Sequence, residues 1–81
     1  MPTILIEDGF RLYFFSNEGA EPKHVHIQYG GATAKFWINP VILAKNKGMN
    51  ASELKRAARI TLKHEKLISE KWDEFQSKKK S

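Results

Sequence analysis

The chain has no cysteine, which removes disulfides, thiol nucleophiles and the usual zinc ribbons and is compatible with a cytoplasmic address. No apolar run approaches the roughly 18 residues of a membrane-spanning helix, so no membrane partner is expected. The opening stretch, residues 1 to 8, lacks the basic flank and long apolar core of a secretory signal, which again predicts a cytosolic protein. Also missing are a Gly-rich phosphate loop, a Ser-His-Asp order, a paired-carboxylate motif and any internal repeat. What remains is 81 residues, enough for one small domain with a modest core and too few for a deep active-site cleft. With 41% hydrophobic and 28% charged residues, the composition is that of an ordinary globular domain, and disorder is not indicated.

Negative charge is scarce in the second half. Eleven of the fourteen basic residues follow position 40, against five acids, whereas the first half is nearly balanced. The net charge of +5 therefore sits in the C-terminal half and its tail. Such a balance favours an acidic partner such as RNA or an acidic protein, although a solvated helix face has the same composition.

The most informative stretch runs from Pro22 to Trp37. Two alternating runs, His24 to Tyr29 and Ala32 to Ile38, are joined by Gly30-Gly31, which predicts a β-hairpin with a two-residue type I′ turn. That turn pairs Tyr29 with Ala32, His26 with Lys35 and His24 with Trp37. Val25, Ile27, Tyr29, Ala32, Ala34 and Phe36 then share an apolar face, and His24, His26, Gln28, Thr33, Lys35 and Trp37 share a polar one. A slip of one residue would mix the two sets.

Upstream, Asp8-Gly9 separates the strand-like runs Thr3 to Glu7 and Phe10 to Ser16, predicting a first hairpin with Glu7 opposite Phe10, Leu5 opposite Leu12 and Ile4 opposite Tyr13. Leu5, Phe10, Leu12 and Phe14 form its core face. Ile4, Ile6, Arg11, Tyr13 and Phe15 form a mixed face, either covered by a partner or neighbouring element or continuous with the His24/His26/Lys35/Trp37 surface. Residues 17 to 23 read as a loop. Asn39-Pro40 reads as an N-cap and first helical position, opening a short helix through Lys45 that Lys47-Gly48 ends. Asn50 and Glu53 supply a second cap close to a capping box, and Leu54, Ala57, Ala58, Ile60, Leu67, Ile68, Trp72 and Phe75 recur at helical spacing. The expected architecture is α+β: a four-stranded antiparallel sheet from two hairpins, a short helix, then a long C-terminal helix packed on one sheet face. Residues 1–76 form a single domain, and 77–81 form a basic tail.

The polar face carries the candidate chemistry. Cleavage of RNA without a metal requires a base for the 2′-hydroxyl, an acid for the leaving oxygen and cations for the phosphorane charge, and His24, His26, Lys35, Arg11 and Tyr13 supply those groups as candidate catalytic residues. Trp37 offers a ring on which an unpaired base can stack, and Lys23 a cation, making both candidate nucleic-acid-binding residues. The same residue types are common on exposed sheets that do nothing. His24 and His26 also form half of a metal site, but a third ligand must come from Glu18, Glu21 or His64, and Lys35 repels a cation, so no metal and no cofactor is assigned. A third possibility is a protein-binding module that uses the Ile4/Ile6/Tyr13/Phe15 face.

With these residues laid out, the chain resembles a bacterial family designated domain of unknown function (DUF) 4160. The resemblance rests on residues 1 to 4, Glu7 through Arg11, Ser16 to Glu18, Pro22-x-His24-Val25-His26, and Ala34 through Trp37 leading to Pro40-Val41. Lys23 stands where a second proline is frequent, and Asn39 where an aspartate is usual. The resemblance implies a small cytoplasmic prokaryotic protein with a small cognate partner in a toxin-antitoxin-type module. It raises the expectation of an RNA-directed or translation-directed toxin and brings no established catalytic residue.

Overall fold

The computed structural model describes residues 3–15 and 21–79. Five strands, β1 (Thr3–Glu7), β2 (Phe10–Tyr13), β3 (His24–Tyr29), β4 (Ala32–Trp37) and β5 (Ile42–Lys47), precede two helices, α1 (Ala51–Lys63) and α2 (Glu65–Lys79). The strands pair antiparallel with their sequence neighbours in the order β1-β2-β3-β4-β5. Both helices bury their apolar stripes on one face of this sheet, where Phe10, Leu12, Val25 and Ile27 meet Ala57, Ile60, Ile68 and Trp72. The fold is α+β, with one strand more than the sequence predicts and two helices arranged differently.

The β3–β4 hairpin has the expected register at every pair from His24↔Trp37 to Tyr29↔Ala32. Its turn differs from expectation, because only Gly30 has a positive φ, 58°. That pattern belongs to a type II′ turn, which also has two central residues and so leaves the register unchanged. At the first turn both Asp8 (φ 51°) and Gly9 (φ 80°) are left-handed, as a type I′ turn requires. A Cβ at Gly9 would stand 3.2 Å from the Tyr29 ring, which stacks on Phe10 with centroids 4.1 Å apart. Glycine there permits both the turn and the stack.

The β1–β2 register departs from expectation beyond Leu5↔Leu12, because Thr3 rather than Ile4 lies opposite Tyr13. Ile4 is the extra residue of a bulge. The bulge removes Ile4 from the mixed face and packs it, with Leu5, against the core.

The expected short helix over residues 40–45 is absent. Asn39 has a positive φ of 62°, the Asn39–Pro40 peptide is cis, and the chain reverses into β5, which pairs with β4. Six residues make a marginal helix at best, whereas the open edge of β4 offers a ready ladder of hydrogen bonds, so tertiary pairing overrides the local helix signal. A bulge near Ala44 separates the pairs Phe36↔Leu43 and Lys35↔Lys45. The Asn46 side chain then holds both the N–H and the C=O of Met49, at 2.9 and 3.0 Å, turning the chain toward α1.

Asn50 caps α1 in a full capping box. Its side chain accepts from Glu53 N–H at 2.8 Å, and Glu53 accepts from Asn50 N–H at 3.0 Å. The single long helix of the sequence reading is broken at His64, whose φ and ψ of −110° and 19° leave the helical region. Two contacts account for the break. The Thr61 hydroxyl donates to the Ala57 carbonyl at 2.8 Å, a back-bond that bends helices. His64 Nε2 lies 2.8 Å from Glu7 Oε1, so β1 holds the interrupted turn. The buried stripe stays in phase across the break, with Thr61 and Ile68 seven residues apart and Trp72 four further on. α2 runs through residues 77–79 of the expected tail, while positions 80 and 81 lie outside the described residues. So do residues 16 to 20, the end of the expected second strand and the first part of the expected loop, including Glu18.

Candidate functional site

The sheet face turned away from the helices carries the candidate site, but its two histidines differ. His26, in the middle of β3, is partly exposed; its ring stacks on Tyr13 at 5.6 Å and meets Phe15 edge-on at 4.2 Å. His24, at the start of β3, is fully buried. Its ring lies 4.8 Å from Trp72, 5.2 Å from His26 and 5.7 Å from Trp37. Its Nδ1 is 2.9 Å from the Pro22 carbonyl, which can only accept, so Nδ1 donates to it. The two histidines that strand alternation places on one polar face are unequally exposed, because α2 brings Trp72 over the strand start and seals His24. Tyr13 is also largely buried, 6% exposed, beneath Arg11, Phe15 and His26.

Arg11 is held in place on this face. Its Nε donates to Thr3 Oγ1 at 2.9 Å, its Nη1 donates to Gln28 Oε1 at 3.2 Å, and its guanidinium lies 4.6 Å from the centre of the Tyr13 ring. Lys35 donates to Glu21 Oε1 at 2.6 Å and lies 4.6 Å from the centre of the Trp37 ring, an ion pair and a cation–π contact on one ammonium. Lys23, a candidate contact for nucleic acid, points the other way. Its ammonium donates to Ser69 Oγ at 2.7 Å and to Asp73 Oδ2 at 3.2 Å, fastening the start of β3 to α2.

Between these residues is a shallow depression of about 210 Å³, lined by Tyr13, Phe15, His26, Thr33, Ala34, Lys35, Lys45 and Lys47. A helix over residues 40–45 would hide Lys45 as a site residue, and β5 brings both Lys45 and Lys47 into the site. β5 places Lys45 directly across from Lys35 and Lys47 across from Thr33, so all three ammonium groups rise from one face. The period-two spacing of Lys45 and Lys47 before Gly48 was the signal that could have found them. Among the described residues neither Lys45 nor Lys47 has an acidic partner, and like charges placed directly opposite each other destabilise a sheet.

The mixed face does not survive as a continuous apolar patch. Ile4 joins the core, Tyr13 is buried, and Phe15, though partly exposed, packs on His26, which leaves Ile6 apart from it. Tyr13 and Phe15 thus extend the His26/Lys35 surface, the second of the two arrangements the sequence allows. As for metal chemistry, no group of three or more His, Cys, Asp or Glu able to hold an ion occurs among the described residues. His64, another of the possible third ligands, is hydrogen-bonded to Glu7 on the helix side. There, hydrogen bonds from His64 and then from Lys63 hold the Glu7 carboxyl below its ordinary value.

The family model for the domain of unknown function DUF4160 matches residues 9–73, most of the chain and all five elements from β2 to α1. The chain belongs to the DUF4160 family. The matched span of this DUF4160 domain includes every residue of the depression and the turn that creates β5. No curated protein and no solved structure matches it.

Proposed function

We propose that this DUF4160 protein binds single-stranded RNA on its open sheet face and serves as the RNA-directed, toxin-like component of a two-protein module. One observation carries the reading: Lys35, Lys45 and Lys47 stand together beside the exposed edges of Phe15 and His26, with Arg11 and Trp37 at either side. Cations that track a backbone, next to rings on which bases stack, are the working parts of sheet-based single-strand binders. The excess positive charge of the chain adds long-range attraction for a polyanion.

The geometry favours binding over cleavage. A metal-free phosphodiester cleavage needs both an acid and a base within reach of one phosphate. Of the two histidines, only His26 reaches the surface, and Tyr13 lies beneath it. The reading therefore gives His26 a stacking and phosphate-contacting role and His24 a packing role.

Titration of the isotopically labelled protein with a short polyuridine oligonucleotide tests this. Amide shifts concentrated on β2, β3, β4 and β5 around His26 and Lys45 support it, and shifts confined to α1 or no shifts at all overturn it. The toxin-like role is tested by induced expression in a bacterial host. Growth arrest by the wild type that is lost in Lys45→Glu/Lys47→Glu at matched soluble levels supports it; normal growth with both overturns it for that host.

A further inference from the structure

β5 is the last strand of the meander, and all six of its residues, Ile42–Lys47, are exposed. Its outer edge presents backbone N–H and C=O groups with no strand beyond among the described residues, which is a template for one more strand. The opposite edge, β1, is less open, because Ile4, Leu5 and Glu7 are partly buried there. The side chains of β5 state what kind of strand fits. Lys45 and Lys47 stand two apart on the open face, Ile42 stands on that same face opposite Trp37, and Leu43 stands on the other face opposite Phe36. Ile42 and Leu43 are 52% and 42% exposed, large for apolar side chains on a sheet edge.

We infer that the edge of β5 receives an extended acidic strand of a partner protein, whose alternate carboxylates face Lys45 and Lys47 and whose apolar residues cover Ile42 and Leu43. Lysines on an edge strand discourage indiscriminate pairing, and here they discriminate by charge. A second copy of this chain would crowd two lysines from each molecule along one seam, whereas an acidic strand neutralises both. Main-chain hydrogen bonds supply the affinity, and the alternating side chains supply the choice of partner. Because Lys45 and Lys47 also line the depression, such a strand closes the RNA face from its β5 side. The closure rests on the RNA reading; the docking does not.

The test uses the full chain and a blocked Glu-Val-Glu-Val-Val peptide, whose glutamates fall opposite Lys47 and Lys45 and whose last two valines fall opposite Leu43 and Ile42, with Lys-Val-Lys-Val-Val as control. At a peptide concentration of about ten times Kd, exchange of the outward-facing β5 amides slows about tenfold, while the lysine peptide leaves them unchanged. The Lys45→Glu/Lys47→Glu variant reverses this preference, and an unchanged amide spectrum for Phe10, Val25 and Ile27 certifies its fold. Equal protection by both peptides, no protection of β5, or a peptide-free dimer with β5 already protected each overturns the docking. In a parallel arm the glutamate peptide displaces a labelled polyuridine oligonucleotide. Peptide bound together with retained RNA overturns the closure. Failure of the oligonucleotide to bind at all removes the RNA reading and the closure with it, while amide exchange still decides the docking.

Discussion

Replacing Lys45 and Lys47 together by alanine removes two ammonium groups that line the depression and that have no acidic partner among the described residues. If each contacts one phosphate of a single strand, each contributes about 0.7 to the magnitude of the slope of log K against log salt, so the double variant is shallower by about 1.4. The corresponding loss of affinity is about 25-fold at ~0.1 M salt and vanishes toward ~1 M, where counterion release no longer favours binding. Lys35 contributes less than a full contact, because Glu21 already neutralises it at 2.6 Å. Stability should stay within about 0.5 kcal/mol of wild type, because Glu21 already compensates the Lys35 charge that stands across from Lys45. Fluorescence anisotropy with a labelled polyuridine oligonucleotide across a salt series, paired with thermal melts, reads both quantities. Parallel salt slopes for wild type and variant would refute the assignment of these lysines to phosphate. A variant that loses affinity equally at every salt concentration would point instead to a structural effect.

The two histidines should separate cleanly. His24→Ala empties a fully buried site among three aromatic rings and should cost about 2 to 4 kcal/mol in a denaturant melt. His26→Ala should lie within about 1 kcal/mol of wild type in stability, yet weaken oligonucleotide binding by the 1 to 3 kcal/mol typical of a lost stacking partner. The Glu7 carboxyl, held below its ordinary value by His64 and Lys63, binds fewer protons in the folded than in the unfolded state. Its stabilisation is therefore complete above the ordinary carboxylate range and lost as pH falls through the depressed folded value. Glu7→Gln should flatten the melting temperature over that acidic window, and an unchanged profile would show that the Glu7–His64 contact does not matter. Asn50→Ala removes half of the capping box and should lower stability by about 1 kcal/mol, read in the same melts.

The parts of the fold that could be read from sequence are those in which a short-range signal and a face pattern agree. Gly30-Gly31 sets a two-residue turn, and the alternation on either side admits one register, so every pair of β3 and β4 follows even though the turn type does not. Asn50 and Glu53 mark the start of α1 because their side chains satisfy the very N–H groups a helix start leaves open. Residues 39–47 failed for the opposite reason. Asn39-Pro40 carries the chemistry of a helix start, and nothing local reveals that Asn39 N–H will instead be taken by Glu65 at 3.0 Å, from a helix more than twenty residues further on. The bulge at Ile4 and the break at His64 are likewise decided by distant partners, the core beneath β1 and the Glu7 carboxylate.

That one misplaced strand also redraws the site. With residues 40–45 as a helix, the working surface contains two histidines, one lysine and one tryptophan, a set that suggests acid–base chemistry. With β5 in place, two more lysines join Lys35 on the same face. Meanwhile α2 withdraws His24 from solvent and fastens Lys23 to Ser69 and Asp73. Each change moves the surface away from proton transfer and toward holding an anion. Period-two patterning can assign a residue to a face, but it does not say whether another element will cover that face. His24 and His26 have the same parity on the same strand, and Trp72 covers only the first. An interface read from strand alternation therefore has to be checked at the strand ends, where packing elements cross, before its residues are given chemical roles. Here that check leaves His26 with the lysines and rings of the open face, and it makes the salt dependence of binding the property that best reports on the site.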